Sequence, residues 1–174
     1  GNELTVREDR SRTSLNLPGR QEELLKAVCA TGKPVVLVLL DGRASSINYA
    51  AAHVPAILHA WFPGEFCGQA VAEALFGDYN PGGRLPLTFY NSLSDLPAFD
   101  DYNVRNNRTY MYFEGKPLYP FGYGLSYTDF AYRGLDITQD EENVTVKFFV
   151  REIMTVMRSL KYIFSSLIKE RFCR

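Results

Sequence analysis

The run Val35-Val36-Leu37-Val38-Leu39-Leu40 is apolar throughout and shows no alternation. A strand with one wet face alternates apolar and polar residues. One that does not is covered on both faces, as strands of a parallel sheet between helices are. Asp41-Gly42-Arg43 turns the chain away from its end. Ala56 to Trp61 reads as a second buried strand, and Asn48 to His53 as a short helix between the two. Upstream, Gln21 to Val28 has the spacing of an amphipathic helix, stopped by Thr31-Gly32-Lys33-Pro34. Helices alternating with buried strands predict an α/β fold: a partial sheet with helices on both faces, a three-layer sandwich whose ligand loops lie at the strands' carboxyl ends.

From Trp61 to Tyr90, loop, helix, turn and strand signals follow one another without a gap. Pro63 and Gly64 break the chain, Ala70, Val71, Ala74 and Leu75 recur at helical spacing, and Gly77-Asp78-Tyr79-Asn80-Pro81-Gly82-Gly83 closes the helix. Leu85, Leu87 and Phe89 then alternate as a strand. The run Gly77 to Phe89, with Pro117-Leu118-Tyr119-Pro120-Phe121-Gly122-Tyr123-Gly124-Leu125-Ser126-Tyr127 downstream, resembles the family 3 glycoside hydrolases. The resemblance covers roughly residues 1–150. It implies the C-terminal portion of a retaining, exo-acting β-glycosidase, in which a TIM-like barrel precedes this chain and a fibronectin type III-like domain follows it. The expected divisions are the later part of an α/β sandwich domain (1–92), an aromatic-rich ordered loop (93–127), the start of the fibronectin-like domain (128–150) and a tail (151–174).

Retaining glycosidases need two carboxyl groups about 5–5.5 Å apart, one as nucleophile and one to protonate the leaving oxygen. The resemblance places the nucleophilic Asp on the missing barrel and the acid/base at the start of this segment. Family landmarks match Asp9-Arg10 and Leu15-Asn16-Leu17-Pro18, with Gly1 as the Gly that follows the catalytic Glu. The acid/base then falls just before Gly1. Glu3 is the best-placed candidate within the chain and Glu8 the next, and the competing reading of both is a solvated loop carboxylate. The fragment alone is expected to be inactive. The segment Arg108-Thr109-Tyr110-Met111-Tyr112-Phe113 looks more like the β-xylosidase branch, acting on xylo-oligosaccharides, although the family commonly has Arg where Met111 stands. β-Glucosidase and arabinofuranosidase stay open. For Arg108 the alternative is structural, holding the loop by stacking or by pairing with Asp78 or Asp101.

A second class of reading is a noncatalytic α/β ligand-binding or scaffold domain. Against it, Gly64-Glu65-Phe66-Cys67-Gly68 lacks the Lys of a phosphate-binding loop. The net charge of −1 gives no case for nucleic acid or an acidic membrane, and no apolar run approaches a membrane span. Cys29, Cys67 and Cys173 stand at no metal-ligand spacing, and Asp41, Asp78 and Asn80 read as turn residues, so no cofactor or metal is expected. His53 and His59 read as ordinary loop and strand residues. The Asn107 and Asn143 sequons are too short to weigh without a secretory signal. Residue 1 is not Met and no leader follows it, so compartment is unassigned, a secreted or periplasmic location staying open.

Twelve Phe and eleven Tyr make the chain rich in aromatics. Many fall between Asn91 and Tyr127, where both periods fade and Pro and Gly recur. That much apolar surface is costly in water at about 25 cal/mol per Å². An ordered loop packed on the α/β layer is expected, with Arg108 and several of its aromatics largely buried. Phe130 to Ile137 and Asn143 to Val150 read as strands around an acidic turn, opening a β-sandwich that the chain leaves truncated.

The last residues differ in kind. Residues 1–150 hold 13 Lys/Arg against 18 Asp/Glu, whereas 151–174 hold 6 against 2 and no Gly or Pro. Read in the shifted frame that joins the last base of each codon to the first two of the next, Met154 to Ile163 permits Asp-Gly-Asp-Glu-Val-Ala-Gln-Ile-Tyr, like the family's next strand. The tail is therefore read as out of frame.

Overall fold

A computed structural model describes residues 12–154. Glu3, Glu8 and residues 155–174 of the expected tail lie outside the described residues. The fold is mixed α/β with small sheets and no closed barrel. The described residues group into two compact units, one of residues up to 67 with 84–123, the other of 68–83 with 124 onward.

In the first unit, α1 (Gln21–Cys29) follows the Pro18-Gly19 turn and carries Glu22 and Glu23 in its first turn, where the helix dipole favours acids. Strand β1 (Val36–Leu39) pairs in parallel with β2 (Ala56–His59), Leu39 opposite His59, and α2 (Asn48–His53) lies between them in sequence. The parallel pair appears where the unalternating apolar runs predicted it. Leu25 of α1, Leu39 of β1, Ile47, and Ala50 and Val54 around α2 form the buried core.

The predicted strand over Leu85, Leu87 and Phe89 is a correction: it exists only as a ladder of single bridges. Phe89 and Tyr119 exchange both backbone hydrogen bonds, at 2.9 and 3.2 Å, and Leu85 donates to Tyr123 and accepts from Gly122, each at 2.8 Å. Leu87 and Phe121, the next hydrogen-bonding pair in the Phe89–Tyr119 register, make no backbone bond to each other, so the contacts do not join into a strand.

The aromatic segment also departs from expectation. It holds a 3₁₀ turn at Leu93–Asp95, closed by a capping box with Ser92, and one helical turn, α4 (Thr109–Tyr112). Phe99 is 93% exposed and Tyr102 84%, with Tyr110, Phe121 and Tyr123 also exposed. The loop is held instead by polar bonds to its own backbone. Asn91 Nδ2 donates to Lys116 O at 2.8 Å, Asn107 Oδ1 accepts from Glu114 N at 2.9 Å, and Asn106 Nδ2 donates to Asp101 at 2.8 Å. The Asn106 bond, with the backbone bond of Asn103, holds the Asp101 carboxyl below the usual range. Arg108 is half-buried and donates to Ala98 O at 2.8 Å; no ion pair to Asp101 forms.

In the second unit, α3 (Cys67–Phe76) starts earlier than its apolar spacing suggested. Tyr127 Oη donates to Ala74 O at 2.6 Å, while Asn80 accepts from Tyr127 N at 2.8 Å and donates to Thr128 Oγ1 at 3.0 Å. These bonds tie α3 and its closing turn to β3 (Thr128–Gln139), which pairs antiparallel with β4 (Val144–Met154). Asp140 caps the connecting turn by accepting from Glu142 and Asn143, which lowers its pKa. A bulge between Arg133 and Asp136 sits at Gly134, whose φ of +62° suits glycine. β4 runs past the expected break at Val150 to Met154, where Arg151 and Ile153 pair with Ala131 and Asp129.

Candidate functional site

The carboxyl ends of β1 and β2 gather the buried polar groups of the first unit. Asp41, two residues beyond β1, is 5% exposed and accepts from Ser45 Oγ at 2.8 Å. The Arg12 guanidinium lies 3.7 Å from the same carboxylate and also donates to Asn16 O. Ser46 N donates to Leu15 O at 2.8 Å and Ser46 Oγ to Tyr90 O at 2.9 Å, so the loop after β1 is stitched to the segments on both sides. The turn is fixed by these side-chain bonds and by Gly42, where a Cβ would meet the Phe62 ring at 2.5 Å.

His59 closes β2. Its ring meets Trp61 edge-on at 4.2 Å and Phe89 at 5.6 Å, and neither ring nitrogen has a hydrogen-bond partner among the described residues. Trp61 itself takes a positive φ of 55°, a strained position for a bulky residue. Burial holds the His59 pKa below the ordinary imidazole value, against an opposing pull from Asp41. The folded state therefore resists a proton that the unfolded chain accepts. Stability should be full above the unfolded value of about 6.5, fall as pH drops from there towards the folded value, and level off below it. Urea midpoints across pH 4.5–8 should show that slope, and His59→Phe should remove it. Identical slopes in both proteins would discard the assignment.

Beside this cluster opens a cleft of about 540 Å³ lined by Arg12, Arg43, Thr88, Tyr90, Thr109 and Tyr110 among others. The oxygen of Thr88 and the Nε of Arg43 are buried without a partner. Thr109 N donates to Tyr90 Oη at 3.0 Å, which holds Thr109 at a φ of +61°.

Of the residues singled out in the sequence, Asp41 is a buried ion-pair partner and His53 stacks on Tyr49 at 4.3 Å. Glu3 and Glu8 lie outside the described residues. Among the described residues no His, Cys, Asp or Glu group could hold a metal, and no helix is long and apolar enough to cross a membrane. Sequence reasoning missed the Arg12–Asp41 pair and the seclusion of His59. The available signal was position: Asp41 and His59 both stand at the exits of unalternating strands, where sites in open α/β sheets form.

The family model of the glycosyl hydrolase family 3 C-terminal domain matches residues 1–127. The chain belongs to that family. It is 50% identical over 119 residues to a xylan 1,4-beta-xylosidase of Xylanibacter ruminicola, covering 68% of this chain and 14% of the relative. It is 45% identical over 132 residues to a periplasmic beta-glucosidase of Salmonella typhimurium, covering 70% of this chain and 17% of that protein. Beta-glucosidase 3B of Thermotoga neapolitana, solved with glucose, superposes with a TM-score of 0.71 at 31% identity, over 81% of this chain and 22% of that one. This family 3 chain thus spans less than a fifth of the length of the two curated relatives.

Proposed function

We propose that this chain is the C-terminal α/β part of a retaining, exo-acting β-glycosidase that releases terminal β-linked sugars, as a β-D-xylosidase acting on xylo-oligosaccharides. The observation that carries the reading is the 50% identity over 119 residues to a xylan 1,4-beta-xylosidase. The 45% identity to a beta-glucosidase favours glucosides as the second substrate class. In this reading an upstream barrel is the partner domain and supplies the nucleophilic Asp. The acid/base is the Glu directly before Gly1, with Glu3 the candidate inside the chain. The 93–127 segment forms an ordered arm, β3 and β4 open a fibronectin type III-like domain, and 151–174 is out of frame.

The 174-residue chain by itself should give no turnover of aryl β-xyloside or aryl β-glucoside, because one carboxyl group cannot perform a double displacement. Joined to its upstream sequence it should hydrolyse the xyloside, and Gln in place of the Glu before Gly1 should cut kcat by roughly 10²–10⁴. Hydrolysis by the isolated chain that disappears in Glu3→Gln would overturn this division of labour. An upstream sequence without a barrel would overturn the glycosidase itself.

A further inference from the structure

We propose that the cleft beside β1 binds a carboxylate-bearing sugar, a hexuronate, with Arg43 receiving the carboxylate. The cleft's volume of about 540 Å³ fits a small-molecule site, roughly 300–1,000 Å³. Its charges are unequal. Both arginines bury an Nε without a hydrogen-bond acceptor, but Arg12 is paired with Asp41 at 3.7 Å, whereas Arg43 forms no ion pair among the described residues. A guanidinium in that state suits a planar monoanion, which takes Nε–H and Nη–H together in a fork.

The remaining groups call for hydroxyls and a ring rather than a bare anion. Thr88 is 6% exposed and its hydroxyl has no partner, a cost that a ligand hydroxyl would remove. Tyr110, stacked on Phe121 at 4.3 Å, is exposed and presents a flat aromatic surface of the sort on which a pyranose C–H face rests. It enters the cleft directly after Thr109, whose positive φ is held by the Tyr90 hydroxyl. Strain at a cleft-lining residue held by one specific bond fits a pre-organised ligand site.

The proposal deepens the glycosidase reading by naming an acidic sugar among its ligands. Binding needs no hydrolysis, so it can stand or fall apart from that reading. Sodium D-glucuronate, D-glucose, sodium acetate and inorganic phosphate should be titrated into the full chain, following amide shifts of Thr88 and Thr109. Glucuronate should bind saturably, at least about tenfold more tightly than glucose or either simple anion. Arg43→Gln should weaken it about tenfold or more and abolish its preference over glucose, while Thr88→Val should weaken glucuronate and leave acetate unchanged. Acetate or phosphate binding as tightly as glucuronate would reduce the site to a plain anion contact and overturn the proposal. So would equal binding of glucose, the absence of saturation, or an unaltered Arg43→Gln whose fold is intact by circular dichroism.

Discussion

Phe89→Ala should destabilise the first unit by roughly 3–5 kcal/mol, enough to unfold a marginal domain at room temperature. Phe89 is 2% exposed and among the largest fully buried side chains. Its ring packs edge-on against His59 at 5.6 Å and Tyr119 at 6.2 Å, while its backbone makes both hydrogen bonds to Tyr119. Truncation therefore opens a cavity beneath two aromatic partners at the point where the returning segment is fastened. Urea titration followed by Trp61 fluorescence reads the loss. Phe99→Ala is the matched control, since Phe99 is 93% exposed and its removal should stay within about 0.5 kcal/mol. A Phe89→Ala cost below about 1 kcal/mol would mean that the bridge, not the ring, holds this corner.

Restoring the reading frame near the codon for Val150 or Arg151 should convert the second unit from its least to its most improved state. Tyr132, Leu135, Ile137 and Phe149 on β3 and β4 are exposed, Phe149 to 77%. A two-stranded hairpin is marginal in water, and its outer edges offer N–H and C=O groups to any other strand. A continuation that completes the sandwich covers both. Amide exchange across β3 and β4 should slow by about tenfold for each 1.4 kcal/mol gained, and the protein should stay soluble at higher concentration. Sequencing the DNA decides the premise: if the codons from Arg151 to Tyr162 cannot encode the Asp-Gly-Asp-Glu run in another frame, the tail is native.

The elements that sequence disclosed best were those set by burial on a period. β1 and β2 lack alternation because every one of their residues is buried or half-buried, and α1 repeats at helical spacing because Leu25 faces the core. Turn chemistry was legible too, in the acidic connection at Asp140 and the closing turn at Asn80. What did not follow was long-range pairing. Leu85 to Phe89 alternates like a strand, but only the fold shows that its pairing with the returning segment stops at the Phe89–Tyr119 bridge and the backbone bonds of Leu85. The aromatic segment misled in part: Leu118 and Tyr119 pack on the core as hydrophobicity argues, while Asn and Asp side chains that bond within the segment order the stretch whose Phe99, Tyr102 and Tyr110 stay exposed. The site was visible only as position, since the pairing of Arg12 with Asp41 spans residues that no local pattern links.

The Phe89–Tyr119 clasp, repeated by Asn91 on Lys116, makes what lies between an interchangeable cassette. Its ends are joined whatever its contents, so the core registers no difference between a short insert and a long one beyond the entropy of closing it. Doubling its length costs only about 0.6 kcal/mol. Tyr110 and Thr109 ride on that cassette and line the cleft. The scaffold can therefore exchange one wall of its cleft for another without renegotiating its stability, which is the condition under which a single architecture diversifies in what it grips.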